Sequence, residues 1–173
     1  MKDASNLHQK VQNLCDCFTA NDPLKEMSVI KTESDHDEAA QKWLALAVLH
    51  GINSNAETIS ISTTKSGDAQ VIAKYRTSEL PSPGAPIAEK VISTVRAITH
   101  IEDVSGESPL AFGIQNNSMD LKITSTHEGG REKITITFPR FILQGFRLTN
   151  RYWHQPEGEV SANIDSEKTR GEP

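Results

Sequence analysis

Two histidines are the residues best suited to chemistry by type and position. His50 and His100 each stand near the end of a segment with helical periodicity. Imidazoles so placed can bind a metal or exchange protons near neutral pH. The position also has a purely structural use, because a histidine in the last helical turn meets the negative end of the helix dipole and its free carbonyls. No third carboxylate or cysteine ligand stands at metal-site spacing beside either one. A joint metal or small-molecule site therefore needs the fold to bring the two together, and no cofactor is implied.

Cys15 and Cys17 form a C-x-C on a segment that reads as helix. Residues two apart on a helix point away from each other, so the pair is ill suited to one metal. A small apolar packing role explains them with less. The chain has no P-loop, no G-x-G-x-x-G, no H-E-x-x-H, no G-x-S-x-G and no paired C-x-x-C.

A different chemistry gathers late in the chain. Residues 139–153 hold Phe141, Ile142, Leu143, Phe146, Leu148, Tyr152 and Trp153, interleaved with Arg140, Arg147 and Arg151. Seven large apolar groups are too many for a free tail, so the segment is expected to cover apolar surface of its own body or of a second chain. Aromatics beside arginines are also the composition of protein-binding hot spots. Arg140, Phe141, Phe146, Arg147, Arg151, Tyr152 and Trp153 are the candidate interaction residues.

These groups must be positioned by an α+β framework. Leu7, Val11, Leu14 and Phe18 mark an N-terminal helix over 5–19. A second helix runs to about Gly51 and is apolar on nearly every side from Ala39 to Leu49, which makes it the central helix and Trp43 a core residue. Alternation over 57–64 and 69–76 around Lys65–Asp68 predicts a hairpin. Pro86 suits the first turn of a helix over about 87–102, Leu110–Ile114 suits a short strand, and a second hairpin turns at Glu128–Arg131.

The pieces repeat. Unit 37–76 matches unit 86–138, with Ile59 and Ile61 falling on Leu121 and Ile123, and Val71, Ala73 and Tyr75 on Ile134, Ile136 and Phe138. The expectation is two pseudo-repeated helix–β-hairpin units related by a two-fold. They would form a four-stranded or slightly larger antiparallel sheet with the helices on one face, in a single domain over 1–153. The two-fold is what would carry His50 and His100 to a shared crevice. The open sheet face would present Thr58, Ser60, Ser62, Lys74, Arg76, Lys122, Thr124, Lys133, Thr135 and Thr137, with no aromatic on which a base could stack.

Charge sets the outer bounds. Eighteen basic against 23 acidic residues give −5. Residues 154–173 hold five of the acids and two of the bases, so they carry −3 and read as a disordered tail, leaving the body near neutral. A basic balance of +4 over 131–151 is local, and the acidic remainder argues against a nucleic-acid partner. The longest apolar stretch, Trp43–Leu49, is far shorter than a membrane span. MKDASNLHQK has no apolar signal region, which predicts a cytoplasmic protein with no membrane partner. The functional expectation is a non-catalytic module that dimerises or binds a protein partner. Its alternative is a small-molecule or metal-binding enzyme with a site near His50 and His100.

Overall fold

The structure, a computed structural model, describes residues 4–74, 78–115 and 117–139. Interaction residues 140–153 and tail 154–173 lie outside the described residues. No helix among those described is long and apolar enough to cross a membrane.

Helix α1 (Ala4–Phe18) buries Leu7, Val11 and Cys15, while Leu14 and Phe18 are only partly covered. Its buried stripe follows i, i+4, i+8. Asp22 then opens α2 (Pro23–Val29), its side chain accepting from the backbone N–H of Leu24 and Lys25, with proline in the first turn. A 3₁₀ turn over Ile30–Thr32 completes the connection and buries Ile30. The sequence reads 24–36 as a polar loop with room for one short turn around Leu24–Ile30, after the stop signal Asn21-Asp22-Pro23. Here the same residues also start the next helix.

Helix α3 (His36–Asn53) is capped by Asp35, which accepts from the N–H of Asp37 and Glu38. It touches α1, α2, the strand Thr58–Thr63 and helix α4 (Ala85–Thr99), so Trp43 is fully buried, as its all-round apolarity requires. Helix α4 lies on the sheet against the strands Thr58–Thr63, Gly106–Ile114 and Arg131–Thr137. It ends at His100, which takes the left-handed conformation (φ 56°) and donates its N–H to the Arg96 carbonyl. The expected end at 102 is therefore two to three residues too late.

The sheet runs β3-β2-β1-β6-β5-β4, with every pairing antiparallel. Its strands are β1 (Thr58–Thr63), β2 (Ala69–Lys74), β3 (Ser78–Glu79), β4 (Gly106–Ile114), β5 (Asn117–Glu128) and β6 (Arg131–Thr137). Five are long and β3 is a two-residue edge, so of a four-stranded or slightly larger sheet the larger form is observed. The strand read at Leu110–Ile114 is β4, which begins earlier, at Gly106, and carries Pro109. An edge strand tolerates that proline, since one row of its N–H groups faces outward in any case.

The two-fold is also corrected. A dyad would set equivalent strands side by side, yet β1 pairs with β6 (Ile59 opposite Ile136), not with β5. Strands β1 and β5 therefore run parallel, separated by β6, and the two hairpins stand side by side in one orientation. Gly129 and Gly130, both at positive φ (57° and 78°), make the tight two-residue turn between β5 and β6.

Candidate functional site

Among the described residues the helices cover one face of the sheet and leave the other open. Across the strands the open face is ordered in rows. Gln70, Ser62, Lys133 and Thr126 form one row, and Ile72, Ser60, Thr135 and Thr124 the next. Adjacent members of a row are separated by the interstrand spacing of about 4.8 Å. Ile72, 37% exposed, is the large apolar side chain in this array of hydroxyls, amide and cations.

Both hairpin turns fall at one end of the face, because Thr63 pairs with Glu132. There Ser60, Ser62, Gln70, Thr126, Arg131 and Lys133 line a shallow hollow of about 530 Å³, with Glu128 at its edge. The Lys65 chain lies across Gly130, where a side chain would collide with it. Lys74 and Lys122 elsewhere on the sheet are paired, with Glu57 at 3.4 Å and Glu107 at 2.9 Å. Among the described residues Lys65, Arg131 and Lys133 have no such partner. The sequence placed Lys133 outward and registered the basic run from Arg131. It carried no sign that the β1–β2 turn adds Lys65, which depends on β1 pairing with β6.

On the helix side at the same end, Arg96 reaches from the last turn of α4. It donates Nε and Nη2 to Ser125 Oγ at 3.2 and 3.1 Å, and Nη2 to the Val104 carbonyl at 3.0 Å. Its Nη1 stands 3.5 Å from Glu132 Oε1, which is 3.7 Å from His127 Nδ1. Together these contacts tie α4 and the 100–105 connection to β5 and β6. The cluster is a clamp, and residues so far apart in sequence offer no local spacing by which to foresee it.

The two candidate histidines are not brought together. His50 is buried beside Gly51, whose position lies under the Phe138 ring just beyond the end of β6. His100 is exposed one turn past Arg96, which binds Glu132 at the start of β6. The strand between those anchors spans on the order of 20 Å. Without a dyad nothing folds the two ends into one crevice. Among the described residues no three His, Cys, Asp or Glu come together as a metal-binding group.

Burial holds the His50 imidazole below its ordinary value, with the Asp22 carboxylate drawing it partly back. Cys15 is buried, its Sγ–H donating to the Ala45 carbonyl at 3.3 Å, and burial pushes its thiol well up, with Asp16 adding to the effect. That is the environment of an inert packing thiol. Cys17 is exposed.

The edges of the sheet are guarded. In β4 the outward N–H groups belong to alternate residues. Gly113 gives its N–H to Gln12 Oε1 at 2.6 Å and Gln115 to Asp16 Oδ1 at 3.0 Å, both acceptors from α1, while Pro109 has none to give. The opposite edge ends in the short β3 and the prolines that follow. The contacts from Gln12 and Asp16 close the Gly113–Gln115 end of the β4 edge to a partner strand.

Phe138 marks where the chain leaves the body. Its ring is buried, its N–H bonds the Glu57 carbonyl at 2.9 Å, and Pro139 lines a second hollow with Asn55, Glu57 and Thr137. The candidate interaction residues follow directly from this exit and lie outside the described residues. A scan of known protein families finds none that matches the chain, and no curated protein matches it either.

Proposed function

We propose that the protein is a non-catalytic interaction module that joins a second copy of itself or another protein through residues 139–153. The supporting observation is the exit at Phe138. The buried ring over Gly51 fixes where the chain emerges, so the seven apolar side chains beyond it start from a defined point on the body. Burying half of them is worth on the order of 5 kcal/mol, at about 1.5–3 kcal/mol each. The arginines among them suit a rim, with stems on apolar surface and heads in water. In this reading units 37–76 and 86–138 are a repeat laid side by side, which yields a wide sheet and no closed crevice.

Light scattering on the full chain beside a Phe146→Asp variant tests the reading. If the segment joins two chains, the wild type is an oligomer and the variant a monomer. If it seals its own body, the mass is unchanged and the variant melts earlier. A variant with wild-type mass and stability would overturn self-association and sealing in cis alike. Stoichiometric metal in the purified protein would instead favour the enzymatic alternative.

A further inference from the structure

The cations at the hairpin end of the open face have no ion-pair partner among the described residues. Arg131 and Lys133 project from alternate positions of β6, and Lys65 joins them from the neighbouring turn, against one carboxylate in the wall, Glu128. Ser62, Gln70 and Thr126 add hydrogen-bonding groups in the same row. Three positive groups beside hydroxyl and amide donors, open to solvent, suit carboxylates in an extended segment. The chain itself carries such a segment: Glu157, Glu159, Asp165, Glu167 and Glu172 against Lys168 and Arg170.

We infer that the acidic stretch 157–172 docks in cis on the hollow formed by Ser62, Gln70, Thr126, Arg131 and Lys133. Reach permits it. From Pro139 the chain must return along β6, on the order of 20 Å. Residues 140–156 intervene, 17 of them, and an extended chain of that length spans up to about 60 Å. Tethering also decides between this occupant and a free one. Exposed ion pairs are individually weak and screened by salt, so the hollow holds an untethered acidic peptide poorly. A tethered stretch is present at an effective concentration in the millimolar range, where weak pairs suffice. Occupation would neutralise the open face and withhold it from other acidic partners.

The test uses the full chain, with Cys17→Ser and Ser166→Cys to carry one nitroxide; Cys15 is buried and unreactive. The label should broaden the amide signals of Ser62, Gln70, Thr126 and Lys133 selectively. About 1 M salt, which cuts the screening length to about 3 Å, should abolish the broadening. So should replacing the five acids by glutamine, or Arg131→Gln with Lys133→Gln, while the rest of the spectrum stays in place. No selective broadening at low salt would overturn the inference. Broadening seen when a labelled chain is mixed with an unlabelled, isotope-enriched one would assign the tail to a second copy, and the intramolecular assignment would fall.

Discussion

At the scale of single residues, His50 carries the clearest consequence. Its folded-state value is depressed by burial, so the native protein keeps it neutral where the unfolded chain takes up a proton. Stability is therefore full above the ordinary histidine value near 6.5, and falls as pH drops from there toward the lowered native value. One proton gives a slope of at most about 1.4 kcal/mol per pH unit. Urea unfolding of the wild type and His50→Leu across pH 5–8 should show the wild type losing more on acidification. Parallel curves would mean that His50 is as easily protonated folded as unfolded. The sequence had offered His50 as a ligand or as a partner of the helix end. The structure places it in the interior, which no spacing argument could have shown, because burial depends on α3 being surrounded.

At the scale of elements, what could be read from sequence were the periodic ones. The all-round apolarity of α3 and the alternation in β1, β2, β5 and β6 report burial directly, and those elements stand where periodicity puts them. Elements held by a single cap or at the edge of the sheet were read short: α2, opened by Asp22, as one turn within a loop, and β4 as Leu110–Ile114 alone. One helical detail links α3 to the candidate interface. Gly51 has no side chain because a Cβ there would overlap the Phe138 ring. Gly51→Ala should cost about 1–3 kcal/mol through overpacking, against the gain in helix propensity that alanine brings elsewhere. Thermal unfolding of Gly51→Ala with and without Phe138→Leu checks it, since the smaller side chain should recover part of the loss. A stabilised Gly51→Ala would show that Phe138 does not pack on the helix.

For the molecule as a whole, the relation between the two helix–hairpin units matters most. The spacing of Ile59, Ile61, Leu121 and Ile123 reads as two similar units but carries nothing on how they pair, since strand order is a property of backbone contacts far apart in sequence. That is why the shared crevice for His50 and His100 was expected and is absent, and why the Lys65–Arg131–Lys133 hollow went unseen. The observed order makes β1 and β6 the seam between units, with α4 lying over both and α3 packed on α1, α2 and α4. One apolar cluster runs without a break from Leu7 in α1 to Phe138. Neither unit keeps its own core if the seam opens, so the body should unfold in one cooperative step, as small single domains do. Trp43 at the centre of α3 reports the helical layer, and far-UV circular dichroism reports helices and sheet together. In a Trp153→Phe background, so that Trp43 alone fluoresces, the two denaturation curves should superimpose with one midpoint. Two separated midpoints would mean that the helix–hairpin units fold on their own and that the β1–β6 seam is only a weak junction.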